Sequence, residues 1–210
     1  MNVFEYLTGH AGEVLANTGV HLVLAALSTL IAAAIAIPLG ILLTRRPKWQ
    51  KPVLGLAGVL QTIPSLALLG FLIPLPYLGG IGARAAIVAL VLYALLPILR
   101  NTVAGIDGVD AAVREAGRGM GMTDVQLLRL VELPLAASVI FAGIRIAMVI
   151  SIGIATIAAY IGAGGLGTYI FRGISTLDSR LIFAGAIPAA LLALLSDGIL
   201  GWVEKRMRRS

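Results

Sequence analysis

The sequence predicts an all-α integral membrane protein, and three observations carry the prediction. Of 210 residues, 59% are hydrophobic and 12% charged, with a mean hydropathy of +1.00; a soluble domain has about 25% charged residues. The apolar residues gather in runs long enough to cross a hydrocarbon core of about 30 Å at about 1.5 Å per helical residue. The sixteen Lys and Arg fall almost entirely outside those runs. Glycine is abundant at 25 residues, which suits close approach of helices in lipid. The absence of cysteine excludes disulfides, thiolate metal sites and thiol nucleophiles. His10 and His21 are too few for a histidine-rich metal site.

Residues 1–18 mix Phe4, Leu7, Val14 and Leu15 with polar neighbours and read as a tail or interfacial helix. They hold no Lys or Arg, so they lack the basic start of a signal peptide. One domain, 19–203, is expected to follow. Its first span is expected at about 20–44, with Pro38 and Gly40 near its end. Arg45-Arg46-Pro47-Lys48-Trp49-Gln50-Lys51 then forms a basic stop with an interfacial tryptophan. The second span, about 53–75, is interrupted by Gln61-Thr62-Ile63-Pro64-Ser65. The third is expected at about 82–99, the fourth at 135–161 and the fifth at 181–203, before a basic tail at 204–210. The stretch 162–176 opens with Gly162-Ala163-Gly164-Gly165-Leu166-Gly167 and is too short and glycine-rich for a span. It reads as a re-entrant or external loop, because irregular backbone at membrane depth needs protein or a water cavity beside it.

Five spans put the termini on opposite sides. Segments 45–52, 100–133 and 204–210 hold four Lys/Arg each, against Arg84, Arg172 and Arg180 on the other face. Positive residues stay inside, so the N-terminus is expected outside and the C-terminus inside. The net charge of +6 is thus a topology signal that can also attract anionic lipid, and no nucleic-acid groove is indicated.

The inner segment 106–134 holds Asp107, Asp110, Glu115, Asp124 and Glu132, five of the ten acidic residues. Ile106, Val109, Val113 and Ala116 fall on one helical stripe. Asp110 and Arg114 form an i, i+4 pair. The helix is expected to stop at Gly117-Arg118-Gly119-Met120-Gly121. Thr123 and Gln126 fit a capping box that starts a second helix. Leu127, Leu128, Leu130 and Val131 cover one arc of it, while Gln126, Arg129 and Glu132 form a polar rim. Leu133-Pro134 ends or redirects it before the fourth span. Periodicity alone leaves open an amphipathic loop resting on lipid. The glycines do not read as a phosphate loop, since no strand precedes them and Gly-Lys-Ser/Thr is missing.

Glu115-Ala116-Gly117, three residues, Gly121, nine residues, Val131, one residue, and Leu133-Pro134 resembles the Glu-Ala-Ala loop of ATP-binding-cassette importer permeases. Gly117 stands where that family usually has alanine, which loosens the turn. The resemblance implies the type I importer transmembrane fold and a coupling helix that docks in a cleft of an ATPase. It implies coupling roles for Glu115, Ala116, Gly117, Gly121, Thr123, Gln126, Arg129, Leu133 and Pro134. It also implies two ATPase subunits carrying ATP and Mg, with no cofactor on this chain. A second permease subunit, identical or a close paralogue, and an extracytoplasmic substrate-binding protein complete the assembly in a bacterial or archaeal cell membrane. His21 to Ile41, Gln61 to Leu68 and Ile152 to Gly167 resemble the permeases for glycine betaine, carnitine and choline, which are osmoprotectant importers. Methionine permeases share the glycine-rich stretch, but Gln-Thr-Ile-Pro-Ser fits the osmoprotectant group better.

Gln61, Thr62, Pro64 and Ser65 are the candidate pathway residues. Pro64 frees backbone carbonyls, and broken helices often form transport sites; the plain alternative is a packed proline kink. Gly162, Gly164, Gly165 and Gly167 are candidates for a gate or loop. Tyr93, Phe141 and Tyr160 are expected to pack in the core. Arg145 and Asp197 lie within spans four and five, where charges seek partners; an ion pair and separate snorkelling are the two readings. A membrane enzyme lacks a catalytic set here, and a passive channel does not need the coupling loop.

Overall fold

The computed structural model describes residues 3–207, which form helices and turns and no strand among the described residues. The last three residues of the basic tail, 208–210, lie outside them. The helices are α1 (Val3–Gly9), α2 (Ala11–Arg45), α3 (Pro47–Thr62), α4 (Ser65–Leu72), α5 (Ala83–Asp107), α6 (Ala111–Gly119), α7 (Asp124–Leu127), α8 (Leu133–Ala158), α9 (Gly167–Thr176) and α10 (Ser179–Met207). Among the described residues four stretches are long and apolar enough to cross a membrane: α2, α5, residues 124–161 and α10. The pair α3 and α4, bent by 96°, adds a fifth if it counts as one span.

The centre is built by α2, α5 and α8. Its contact faces are largely alanine: Ala25, Ala32, Ala36, Ala85, Ala86, Ala89, Ala94, Ala147, Ala155 and Ala158 are all fully buried. Small side chains bring backbones close, and in lipid that packing holds helices together where no hydrophobic drive exists between them. Gly143 marks a close approach of α8 to α5, since a Cβ there would lie 2.6 Å from Asn101 Cβ and 2.9 Å from the Pro97 carbonyl oxygen.

Several boundaries differ from the sequence expectation. Residues 11–18 are not a tail, because α2 begins at Ala11. Val14 anchors that extension against Leu166, Tyr169, Leu181 and Ala189, with Tyr6 and Leu7 packed beside them. The second run is not one continuous helix through residue 75. Ile63 takes an extended conformation (φ −68°, ψ 127°), as a residue before proline prefers, and the chain turns sharply there. The third span continues past residue 99 to Asp107 with Pro97 inside it. The chain between Thr123 and the fourth span is not broken at Leu133-Pro134 either. A wide π-turn, Leu128–Glu132, joins α7 to α8, and the Leu133 amide donates to the Leu128 carbonyl. Pro134 has no amide for the ordinary bond, so a widened turn just before it absorbs the defect.

The glycine-rich stretch is half helix. Gly162, Gly164 and Gly165 have φ of +79°, +79° and +80°, and α9 starts at Gly167. Leu166 is fully buried. His21, also fully buried, holds the turn. Its Nε2 donates to the Ile152 carbonyl at 3.0 Å, and its Nδ1 accepts from the Leu166 amide at 3.3 Å. A carbonyl only accepts and an amide only donates, so these partners select the neutral Nε2–H tautomer. A Cβ at Gly167 would sit 2.0 Å from the Thr156 carbonyl oxygen.

Gly167→Ala is therefore expected to cost about 1–3 kcal/mol, the usual range for overpacking. Gly9→Ala, where a Cβ meets nothing within 4 Å, should leave stability unchanged. Thermal unfolding of the detergent-solubilised variants measures both, and equal melting temperatures would contradict the packing described.

Candidate functional site

The segment 106–134 is two short helices held against the bundle. Ile106 closes α5 and is buried, whereas Val113 and Ala116 on α6 are exposed. The expected single stripe is thus divided between two helices, because the chain turns at Gly108 and Val109. Asp110 does not pair with Arg114 as its spacing suggested. It caps α6 by accepting from the Ala112 amide at 2.8 Å. Arg114 folds back, and its Nη2 donates to the carbonyls of Ile106, Asp107 and Val109 at 3.1, 2.8 and 2.7 Å. A cation there satisfies the orphan carbonyls at the end of α5 and meets its dipole.

α6 runs through Gly117 to Gly119, later than the glycine string implied. Gly117 does not loosen a turn. It is buried within the helix, and a Cβ there would meet Leu127 Cδ1 at 2.8 Å and Met122 Sδ at 3.3 Å. Its missing side chain lets α6 lie on α7. The turn itself uses Gly121, at φ +81°. The capping box is complete: the Thr123 amide donates to Gln126 Oε1 at 2.8 Å, and the Gln126 amide donates to Thr123 Oγ1 at 3.3 Å. Leu127 is buried, while Val125 and Leu130 are 58% and 65% exposed. Glu115, Ala116, Gly121, Thr123, Gln126, Arg129 and Pro134 are exposed around them; Leu133 is half-buried.

Glu132 does not belong to the polar rim. It is fully buried. Arg45, the last residue of α2, donates to both its carboxylate oxygens, with Nη1 at 3.2 Å from Oε1. Arg114 Nε lies 3.9 Å from Oε1. The reason is the unbroken helix. Glu132, Ala136, Ile140, Gly143, Ala147 and Ser151 follow helical spacing, and all are buried. A stripe drawn through Pro134 would have put Glu132 on the inner face.

At the break between α3 and α4, two proline defects satisfy one another. Pro97 has no amide, so it leaves the Tyr93 carbonyl free, and Gln61 Nε2 donates to that carbonyl at 2.9 Å. The Ile63 carbonyl lies at the break, and the Tyr93 hydroxyl donates to it. An open pocket of about 390 Å³ is lined by Gln61, Thr62, Ile63, Pro64 and Ser65 with Tyr93, Ile150 and Ile154. Thr62 Oγ1 bonds its own helix, donating to Val59 at 2.7 Å. Tyr93 is buried but Tyr160 is not. It is 64% exposed and lies against Phe171 with ring centroids 5.3 Å apart.

Arg145 forks onto Asp197, with Nε 2.6 Å from Oδ1 and Nη2 2.7 Å from Oδ2. Glu204, which sequence reasoning did not include, takes Nη1 at 3.1 Å. The signal was its position seven residues after Asp197, on the same face of α10. The structure therefore sets the candidate residues in four places: the 106–134 segment, the helix break, the His21 turn and the Arg145 cluster. α8 and its π-turn reach all four.

Gln61→Leu should orphan the Tyr93 carbonyl and cost about 1–3 kcal/mol. Pro97→Ala restores an amide to that carbonyl, so Gln61→Leu should cost less in the Pro97→Ala background. A double-mutant cycle on unfolding free energy tests the coupling; strict additivity would remove the mutual-satisfaction account.

Comparison with known proteins agrees with the geometry. Residues 36–209 match the family described as binding-protein-dependent transport system inner membrane component. A carnitine transport permease of Listeria monocytogenes, OpuCB, is 51% identical over 199 residues, covering 95% of this chain and 89% of that protein. The glycine betaine/carnitine/choline transport system permease OpuCB of Bacillus subtilis (strain 168) is 45% identical over 205 residues, covering 98% and 93%. Among solved structures, an inward-facing form of the MetNI methionine ABC transporter superposes with a TM-score of 0.82 at 24% identity, covering 90% of this chain and 94% of that one. On the family match and these identities, the chain belongs to the binding-protein-dependent transport system inner membrane components.

Proposed function

We propose that this chain is the permease subunit of an ATP-driven importer for quaternary-ammonium osmoprotectants: glycine betaine, choline or carnitine. The observation that carries the cargo reading is the 51% identity, over nearly the whole chain, with a carnitine permease. The fold likeness to a methionine transporter, at 24% identity, supports the architecture and no cargo.

The 106–134 segment serves as the coupling helix. Its exposed Val125 and Leu130 suit an ATPase cleft, and Glu115, Gln126 and Arg129 supply the polar rim that transient interfaces carry. Glu115, Ala116, Gly117, Gly121, Thr123, Leu133 and Pro134 shape the two helices. ATP and Mg reside on two ATPase subunits, and this chain is not itself an enzyme. A second permease, identical or paralogous, encloses the pathway with it, and an extracytoplasmic binding protein delivers the solute. In a bacterial or archaeal inner membrane the chain crosses five times, with α3 and α4 as one broken span. Its N-terminus lies outside, and the basic segments lie inside.

Gln61, Thr62, Pro64 and Ser65 line the pathway at the break. A quaternary ammonium donates no hydrogen bond, so the partial negative charge of the amide and hydroxyl oxygens of Gln61, Thr62 and Ser65 suits its passage, while an aromatic cage belongs on the binding protein. Gly162, Gly164, Gly165 and Gly167 form a gate on the outer side. Arg145 and Asp197 fix α8 to α10.

The test is ATP-dependent uptake into vesicles holding this permease, its ATPase and its binding protein. Labelled glycine betaine, choline or carnitine should accumulate, and methionine should not. Uptake of methionine alone would defeat the cargo reading. Leu130→Asp should reduce recovery of the ATPase with the permease by about tenfold, as loss of a central apolar anchor does; full recovery would argue against the docking role.

A further inference from the structure

We propose that α2 and α8 form a twice-clamped lever that carries movement of the 106–134 segment to the glycine-rich turn at 162–166. Glu132 and His21 are its positioning residues. The proposal rests on the coupling role given above to that segment.

The first clamp is Glu132, the one buried acidic side chain among the described residues. It sits in the π-turn between α7 and α8 and binds Arg45 at the last position of α2 through both carboxylate oxygens. Arg114 reaches the same carboxylate at 3.9 Å while holding the last carbonyls of α5. A docking surface fixed only by exposed side chains would slide over the bundle. This one is tied through a buried charge, which cannot part from its cations without being left unpaired.

The second clamp is His21. One neutral ring joins α2 to the Ile152 carbonyl of α8 and to the Leu166 amide of the turn. A Cβ at Gly165 would lie 3.0 Å from His21 Nδ1, so the turn closes directly on the ring. The clamps are 24 residues apart on α2 and 20 apart on α8, or about 36 and 30 Å of helix. Pro38 interrupts the bonding of α2 between them, a natural place to bend. Ala32 and Ala36 there are fully buried, so the neighbouring helices splint α2. With both ends pinned and the middle splinted, displacement of α7 moves α2 and the turn together.

The chain has no cysteine, so Thr168→Cys places a single exposed thiol just past the turn. Its maleimide labelling rate is measured in the complex with the ATPase subunits, with and without Mg-ATP. Nucleotide should change the rate about fivefold or more, a usual size for coupling between sites. In the same background Glu132→Gln and His21→Ala should each abolish that change while the ATPase still co-purifies. The exchanged pair Arg45→Glu with Glu132→Arg should restore it. If Glu132→Gln does not assemble, Arg45→Lys replaces it, since lysine keeps the charge but loses the two-point fork, and a weakened response is expected. A full response in Glu132→Gln or in His21→Ala overturns the lever, as does an assembled exchange pair that stays unresponsive. A Thr168→Cys chain, otherwise unaltered, that transports its solute with no change in labelling also overturns the lever and leaves the function standing. One that responds at Thr168 but carries no quaternary ammonium defeats the cargo reading instead.

Discussion

The structure depends on close contact among α2, α5 and α8. Lipid offers those helices as good an apolar environment as they offer one another, so burial of apolar area does not drive them together. What remains is dispersion between well-fitted surfaces and the satisfaction of polar groups that lipid cannot reach. The alanine faces supply the fit. The buried polar side chains, His21, Ser28, Thr29, Thr102, Glu132 and Ser151, are strung along the same faces. His21 and Glu132 bond across to another element, so each fixes the register of the helices it joins.

The prolines show how context decides a local rule. Pro64 ends a helix, and its break bends the second run by 96°. Pro97 and Pro188 stay inside helices. Pro134 sits at the start of α8 behind a widened turn. Each lacks the same amide. The outcome differs with what supplies the missing bond: Gln61 for the carbonyl that Pro97 frees, and a shifted bonding pattern ahead of Pro134.

Much of the candidate site was legible in local sequence. The capping box at Thr123 and Gln126 needs only four consecutive residues and an intrinsic backbone preference. The break at Pro64 and the glycine-rich turn follow from single-residue conformational limits. The fork between Arg145 and Asp197 was one of two readings that in-span charge allows. Glu132 was misjudged because its side depended on whether the helix survives Leu133-Pro134. Asp110 had two local options, a cap and an i, i+4 pair. The choice fell to the cap because the α5 carbonyls took Arg114.

The sequence by itself determined that the chain is helical and membrane-embedded, where the apolar runs lie, and where caps and breaks occur. These follow from composition, periodicity and residue geometry, which act over a few neighbours. Tertiary structure alone decided how far each helix runs, which polar groups turn inward, and that one buried carboxylate ties α2 to the segment before α8. Those outcomes require residues far apart in sequence to meet, Arg45 with Glu132, His21 with Leu166, Gln61 with Tyr93. No local preference specifies such a meeting until the helices have packed.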